Sequence, residues 1–225
     1  KSYINKMPII ISIEGNIGSG KSTLVKKLKN FTDENYELFK IHYLPEPVHI
    51  WESIKDKKGQ NILACYYSDQ KKYAFAFQMM AYISRLTLLR EALTKDYDII
   101  ITERSVNTDK MVFAKMLYDS GKIEEIEYKI YNLWFDEFIK DIPKIYIINV
   151  KTSPQVAFDR VVERSRSGET IPLDYLKECH LYHMRWLSQY GPDSMLILEG
   201  DNKLDDDPNN KVLLNWFSQI NIFIN

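Results

Sequence analysis

The sequence has no excess of either charge and few cysteines. Thirty lysine and arginine residues stand against 31 acidic residues, which gives a formal net charge of −1 over 225 residues. This balance supplies no overall field for gripping nucleic acid or an anionic membrane, so neither is expected as a partner. Cys65 and Cys179 lie far apart and form no CxxC or other metal-ligand spacing. We therefore expect no disulfide framework and interpret both as reduced thiols.

Long apolar runs are absent too. No stretch approaches the roughly 20 apolar residues that span a bilayer, and the N-terminus lacks the apolar core of a signal peptide. We expect a cytoplasmic protein, although the chain begins at Lys1 rather than methionine, which leaves a removed organelle-targeting segment open. With 45% hydrophobic and 27% charged residues, the composition suits a single domain over residues 1–225.

Short β-rich runs alternate with helical stretches along the chain. The runs 9–13 and 99–101 are nearly continuously apolar, as expected for strands that helices cover on both faces. The alternation predicts an α/β fold, a five-stranded and mostly parallel sheet flanked by helices. The predicted strands are 8–14, 37–44, 98–102, 144–150 and 195–198. The predicted helices are 21–31, 73–93, 107–118, 123–139, 153–163 and 172–190.

The clearest motif is a phosphate-binding loop (P-loop) between the first predicted strand and helix. It matches G-x-x-x-x-G-K-[ST] and consists of Gly15, Asn16, Ile17, Gly18, Ser19, Gly20, Lys21 and Ser22, followed by Thr23. Its glycines let backbone N–H groups surround phosphate oxygens, while Lys21 supplies a cation and Ser22 a hydroxyl for magnesium. We expect Lys21 to be solvent-accessible. The motif favours nucleotide binding over an ordinary glycine turn, but GTPases, ATPases and small-molecule kinases all use it.

Two acidic residues follow predicted strands at the edge where open parallel sheets bind ligands. Glu46, which precedes Pro47, could accept a proton from a hydroxyl, with Trp51 as an apolar wall against a base or sugar. Glu103 could hold magnesium through water, and Arg104 could bind a phosphoryl oxygen or orient Glu46. The plain alternatives are a surface glutamate before a turn proline and a surface Glu–Arg pair.

Three arginines, Arg160, Arg164 and Arg166, lie at the end of a predicted helix and in the loop after it. Residues four apart share a helix face, so Arg160 and Arg164 could reach one triphosphate together. We predict a short arginine-rich lid over about 164–170. The alternative is a solvated helix end whose cations complement the helix dipole.

The chain also contains residues that suggest chemistry without a complete pattern for it. His180 and His183 lie three apart but lack a third ligand, so we expect no zinc site and place both at a helix surface or interface. The aromatic residues between 66 and 77 are interpreted mostly as core.

Taken together, these motifs resemble the deoxynucleoside kinase family in order and spacing, from about residue 9 to the end of the chain. The resemblance rests on 15–23, Glu46-Pro47-Val48 with Trp51, Phe77-Gln78, Ser84-Arg85, Glu103-Arg104-Ser105 with Asp109, and 160–166 before Ile171-Pro172-Leu173.

The resemblance implies a role for each matched position. Glu46 is similar to the family's general base and Arg104 to its partner near the 5′-oxygen. Ser22 and Glu103 match the magnesium-side groups, and Gln78 matches the amide that reads the base.

Further matched positions line the substrate and donor sites. The hydrophobic pocket positions are Ile17, Trp51, Phe77 and Phe113. Tyr67 and Glu169 match the pair that holds the sugar 3′-hydroxyl, in a lid about one residue shorter than in the animal enzymes. The loop around the donor adenine matches Asp201, Asn202, Lys203 and Leu204.

The resemblance further implies ATP as phosphoryl donor, Mg²⁺ as metal, the 5′-hydroxyl of a deoxynucleoside as acceptor, and a homodimer formed through long helices. A deoxynucleoside triphosphate could act as feedback inhibitor.

Arg85 and Asp109 should form a charged pair at the end of the pocket, similar to the deoxycytidine and deoxyguanosine branch, whereas thymidine-accepting members carry smaller apolar groups there. We therefore expect purine deoxynucleosides or deoxycytidine to be preferred over thymidine. A purely structural bridge between two helices is the alternative.

Two other functions stay open at this point. A nucleoside monophosphate kinase, such as thymidylate kinase, shares the P-loop and arginine lid, but its phosphate acceptor needs cations rather than a carboxylate base. A nucleotide-gated binding module without catalysis is the second; ATP binding without consumption would favour it.

Overall fold

The strands form one sheet in the order β2-β3-β1-β4-β5. The structure is a computed structural model that describes residues 7–35, 39–165, 171–202 and 211–224, apart from the side chains of 34 and 35. The strands are β1 (Ile9–Glu14), β2 (Ile41–Leu44), β3 (Ile99–Glu103), β4 (Ile145–Lys151) and β5 (Met195–Glu199). Every pairing is parallel, so the predicted five-stranded α/β sheet is confirmed and is parallel throughout.

Helices cover both faces of the sheet. They are α1 (Lys21–Asn35), α2 (Val48–Ser53), α3 (Ile62–Ser68), α4 (Gln70–Leu93), α5 (Val106–Thr108), α6 (Lys115–Asp119), α7 (Glu125–Phe138), α8 (Pro154–Arg164), α9 (Leu173–Leu187) and α10 (Lys211–Ile224). A π-helical segment, Asp109–Ala114, joins α5 to α6. The single helix predicted over 107–118 is therefore wrong in detail, and α2, α3 and α10 were not predicted.

Alternate residues of the central strands pack against different helices. Ile11, Ile13 and Ile101 belong to one buried cluster with residues of α1 and α10. Ile10 and Ile100 pack on the opposite face with residues of α4. Because both faces are covered, the strands carry apolar residues at nearly every position.

The register of the sheet brings three strand ends to one edge. Ile13 of β1 lies opposite Glu103 of β3, and Leu44 of β2 lies opposite Thr102. The P-loop, Glu46 and Arg104 follow these ends and therefore meet at the carboxyl edge of the sheet. Among the described helices, none is both long and apolar enough to cross a membrane.

One surface assignment was wrong. His183 is buried, and its Nδ1 lies 2.8 Å from the Cys179 carbonyl oxygen. Its ring meets Phe113 edge to face, because α9 packs against the π-helical segment. Burial lowers the pKa of His183 to about 3, so the imidazole is neutral. Cys179 and Cys65 are both buried and free.

Candidate active site

The P-loop is packed too closely for side chains at two of its glycines. Gly15 and Gly18 have φ values of +140° and +78°. A Cβ on Gly15 would lie 2.6 Å from the Val150 carbonyl oxygen, and one on Gly18 would lie 2.3 Å from that of Ala157. The loop is therefore held against β4 and α8 in a conformation that requires glycine.

Lys21 lies inside this loop, and the expectation of solvent access is wrong. Only 4% of the residue is exposed, and its Nζ donates to the Asn16 carbonyl oxygen at 2.6 Å. Burial lowers the pKa of Lys21 to about 7, and the positive charge of Arg104 acts in the same direction. The loop thus holds a desolvated amine whose charged form a phosphate would stabilise.

Ser22 and Glu103 bring a hydroxyl and a carboxyl group together. The Ser22 hydroxyl at the start of α1 donates to Oε1 of Glu103 at the end of β3, at 2.6 Å. Both residues line the cavity described below. Mg²⁺ prefers hard oxygen ligands and takes the rest from substrate phosphates and water, so this pair fits the metal that the family resemblance implies.

Glu46 lies between two arginines. Its Oε1 accepts from Arg104 Nη1 at 2.6 Å and from Arg85 Nη2 at 3.2 Å, and 16% of its side chain is exposed. Burial alone would raise the pKa of Glu46, but the charges of Arg104, Arg85 and Lys21 outweigh it and hold this pKa well below its ordinary value. The site therefore contains an ionised carboxylate that is fixed in place and partly open to a ligand.

Arg104 has an uncommon backbone conformation. Its φ is +61°, in the left-handed region that costs a non-glycine residue about 1–2 kcal/mol. Its N–H donates to the Ile13 carbonyl oxygen at 3.0 Å, and its guanidinium lies 5.3 Å from the ring centre of Phe113. Strained residues of this kind concentrate at functional sites, and here the side chain of the strained residue contacts Glu46.

Arg85 contacts three residues that line the cavity described below. Its Nε pairs with Asp109 at 3.0 Å, as expected from the sequence. Its Nη1 also donates to the Glu103 carbonyl oxygen at 2.6 Å, and its Nη2 reaches Glu46, a contact that was not predicted. Burial raises the pKa of Asp109 to about 6 even though Arg85 lowers it. Arg85 at the end of the pocket therefore pairs with two carboxyl groups, those of Asp109 and Glu46.

A cavity of about 500 Å³ joins these groups, a volume that suits a small-molecule site. Most predicted site residues line it: Ile17, Gly18, Ser19, Gly20, Lys21, Ser22, Thr23, Glu46, Trp51, Tyr67, Phe77, Gln78, Arg85, Glu103, Arg104, Asp109, Phe113, Arg160, Arg164 and Asn202. Gly15, Asn16 and Asp201 lie beside it without lining it. Arg166, Glu169, Lys203 and Leu204 lie outside the described residues.

Aromatic and polar side chains line the part of the cavity around Trp51 and Gln78. The Trp51 indole N–H donates to Ser84 Oγ at 3.0 Å, and its ring meets Phe77 edge to face. Tyr66, interpreted as core, is buried, but it also lines the cavity. Within the described part of the chain, Oε1 of Gln78 is buried without a hydrogen-bond partner. A ligand that donates a hydrogen bond would satisfy it.

Arg160 connects two segments that border the cavity. Its guanidinium donates to the carbonyl oxygens of Gly200 at 2.8 Å, Asp201 at 3.1 Å and Ser19 at 3.4 Å. It therefore ties the P-loop to the segment after β5 in addition to lining the cavity. Trp216 of α10 also lines this cavity and was missed, because α10 was not predicted.

Comparison with known proteins gives one consistent result. The family model described as deoxynucleoside kinase matches residues 11–225. The chain is 38% identical over 207 residues to a probable deoxycytidine kinase of fowlpox virus, covering 88% of this chain and 82% of that protein. It is 35% identical over 199 residues to deoxycytidine kinase 2 of Gallus gallus, covering 79% and 73%. It is 30% identical over 203 residues to human mitochondrial thymidine kinase 2, covering 87% and 72%. The resemblance inferred from the motifs is confirmed, and the chain belongs to the deoxynucleoside kinase family, enzymes that phosphorylate deoxynucleosides with ATP as donor.

Proposed function

We propose that this protein transfers the γ-phosphoryl group of ATP to the 5′-hydroxyl of a purine deoxynucleoside or deoxycytidine, in preference to thymidine, for nucleotide salvage. The observation that carries the proposal is one cavity of about 500 Å³ shared by the P-loop and the carboxylate of Glu46. An ionised carboxylate suits a hydroxyl acceptor, whose proton it can take, and repels a phosphate acceptor. This argues against a nucleoside monophosphate kinase.

The chain's own groups divide the work of the reaction. Glu46, held by Arg104 at 2.6 Å, accepts the proton of the 5′-hydroxyl as the new bond forms. Its low pKa keeps it ionised, and the loose transition state of phosphoryl transfer asks little of a base before the bond to phosphorus develops. Lys21, Arg104 and the lid arginines stabilise the charge on the transferred group.

Ser22 and Glu103 are the residues that would hold magnesium, Glu103 through water. Their oxygen atoms lie 2.6 Å apart in the same cavity. When bound, Mg²⁺ neutralises charge on the β- and γ-phosphates and orients them for in-line transfer. Lys21 then contacts the same phosphates from inside the loop.

Base preference is assigned to Gln78, Arg85 and Asp109. The buried Oε1 of Gln78 has room for a hydrogen-bond donor from the base. Adenine and cytosine can provide an exocyclic amine, and guanine or thymine can provide a ring N–H. Arg85 and Asp109 add a charged end, 3.0 Å apart, that disfavours the methyl group of thymine. Two of the relatives described above are named deoxycytidine kinases and one a thymidine kinase.

A homodimer is part of the proposal. Helices α4 and α7 expose apolar side chains, Ile83 at 47%, Ile126 at 73%, Leu133 at 71% and Trp134 at 47%. A second copy packed on these helices would cover them. We further propose that the chain forms a single domain with a lid at 164–170, that a deoxynucleoside triphosphate acts as feedback ligand, and that the protein is cytoplasmic.

A steady-state screen tests the function. Each of the four deoxynucleosides and thymidine monophosphate is offered with ATP and Mg²⁺, and product formation is measured. We expect turnover of deoxyadenosine, deoxyguanosine or deoxycytidine at higher kcat/KM than thymidine. A higher kcat/KM for the monophosphate, or ATP binding without any turnover, would contradict the proposal.

A further inference from the structure

Glu14 is a carboxylate that the reaction described above does not use. It is the last residue of β1 and directly precedes the first glycine of the P-loop. None of its surface is exposed. A carboxyl group at such a depth is retained only where hydrogen bonds replace its water, so its hydrogen-bond partners show which segment it contacts.

Those partners come mainly from the segment that follows β3, which consists of Ser105 and the short helix α5. Oε1 of Glu14 accepts from the Ser105 backbone N–H at 2.9 Å and the Ser105 hydroxyl at 2.8 Å. Oε2 accepts from the Thr108 hydroxyl at 2.5 Å. The remaining donor is the hydroxyl of Ser12, on the same strand as Glu14, at 2.6 Å. Three of the four hydrogen bonds therefore reach one short segment, more than 90 residues away in sequence.

This segment begins directly after Arg104. The Arg104 N–H donates to the carbonyl oxygen of Ile13, and the next N–H, that of Ser105, donates to the carboxylate of Glu14. Consecutive residues of β1 thus hold the two N–H groups on either side of the Arg104 α-carbon. Its left-handed φ of +61° is unfavourable for a residue with a side chain, and such a conformation persists only where the surroundings determine it.

We infer that Glu14 is a positioning residue of the kinase: it fixes Arg104 in the conformation that places its guanidinium on Glu46. The inference rests on the proposed roles of Glu46 and Arg104. Glu14 also connects the two halves of the site, because it directly precedes Gly15, the first residue of the P-loop. A displaced Arg104 would leave Glu46 misoriented while the P-loop and the base pocket still bind their ligands.

The main test is Glu14→Gln, which keeps the size of the side chain but replaces one of its two acceptor oxygens with an NH₂ group, so that the hydrogen bonds from Ser105 and Thr108 cannot all be kept in their present direction. We expect kcat to fall by on the order of 10- to 100-fold, since small misplacements of a reacting group have effects of this size. KM for ATP and for the deoxynucleoside should stay within about threefold. A fall in kcat with KM preserved separates lost positioning from lost binding.

A double-mutant cycle with Arg104→Met identifies the route of the effect. If Glu14 acts through Arg104, the double variant should be no slower than Arg104→Met alone, because the positioned group is already gone. Fold losses that multiply would show that Glu14 acts elsewhere and overturn the inference. If Arg104→Met itself leaves kcat unchanged, the proposed function of Arg104 fails instead.

Ser12→Ala is the matched control. It also removes a hydrogen-bond donor to Glu14, but this donor lies on β1 and not in the segment after Arg104. Its kcat should stay within about threefold of wild type, and a loss equal to that of Glu14→Gln would overturn the inference. Thermal unfolding checks each fold. Should Glu14→Gln not fold, Ser105→Ala and Thr108→Val decide the question: each should lower kcat severalfold without adding to Arg104→Met, and wild-type kcat in both would refute the role.

Discussion

The donor and acceptor halves that we propose for the site are built in different ways. The donor half is built mainly on the P-loop, consecutive residues 15–22 between β1 and α1, with Arg160 of α8 added beside it. The acceptor half is collected from the whole fold: Arg85 and Arg104 reach Glu46 across 39 and 58 positions of sequence. Local backbone geometry is enough for phosphate binding, whereas the hydroxyl site requires the strand order and the helix packing to be right.

The two halves also differ in how their charges are balanced. In the donor half, Lys21 bonds to a neutral carbonyl and its pKa is lowered to about 7, mainly by burial. In the acceptor half, Glu46, Arg85 and Asp109 form a connected set of ion pairs. Removing one member there leaves another buried charge uncompensated, whereas neutralising Lys21 does not. The predictions below test this difference, beginning with the largest effect.

Glu46→Gln should break the acceptor half most severely. The amide keeps the shape and can still accept from Arg104, but it cannot take the hydroxyl proton, so we expect kcat to fall by roughly 10² to 10⁴. Deoxynucleoside binding, measured by equilibrium titration, should change little. Glu52→Gln, an exposed residue of the short helix α2 that follows Glu46, is the matched control and should behave as wild type. An unchanged kcat for Glu46→Gln would exclude this carboxylate as the base.

Lys21→Met should disable the donor half while leaving its neighbours intact. Methionine fills the buried space of the lysine stem, so thermal stability should be preserved, and loss of the cation should lower kcat by on the order of 10² to 10³. Lys26→Met, on the exposed side of α1, serves as control. Turnover near that of wild type would show that Lys21 does not contact the transferred phosphoryl group.

The same contrast explains what the sequence could predict. The sheet and the P-loop follow from apolar runs and one contiguous motif, and both were predicted from the residues alone. The contact of Arg85 with Glu46 could not be predicted, because side-chain reach between distant elements is not encoded in spacing. A signal did exist: Gln78 and Arg85 occupy buried positions of α4 among Ala74, Ala81 and Leu89, so polar groups stand where core residues are expected.

Burial was the second feature that the sequence did not reveal. Lysine is rarely buried without a charged partner, and we expect a solvent-accessible Lys21 from the sequence, yet the carbonyl oxygen of Asn16 accepts a hydrogen bond from it inside the fold. The π-helical segment Asp109–Ala114 also could not be predicted, because its apolar residues do not differ in spacing from those of an α-helix. This segment begins with Asp109, and it packs against α4 and α9.

Arg85→Met combined with Asp109→Ala should change base preference rather than abolish catalysis. Both charges leave together, which avoids an unpaired buried ion and enlarges the pocket for the methyl group of thymine. Because Arg85 also donates to Glu46, kcat should fall with every base, so the ratio of kcat/KM values is the informative quantity. We expect the thymidine-to-purine ratio to rise roughly 10- to 100-fold.

The control for this pair lies on the same helix. Arg90 forms an ion pair with Asp141 at 2.7 Å, with side chains 40% and 68% exposed. Arg90→Met with Asp141→Ala should leave the base ratios unchanged, since exposed pairs contribute little. A wild-type preference for thymidine, or ratios that do not move in the double variant of the pocket, would show that Arg85 and Asp109 only bridge two helices.

The smallest expected effect is a proton taken up when ATP binds. The pKa of Lys21 is lowered from 10.5 to about 7 by burial and by Arg104, so at pH 8 most of the protein carries this amine uncharged. Phosphate oxygens favour the ammonium form and raise its pKa, so binding should draw close to one proton per site at pH 8 and almost none at pH 6, where Lys21 is already charged. Calorimetric titration of Mg²⁺·ATP in two buffers of different ionisation enthalpy measures this number. Lys21→Met should remove the uptake, and equal uptake by the variant and wild type would assign the proton to another group.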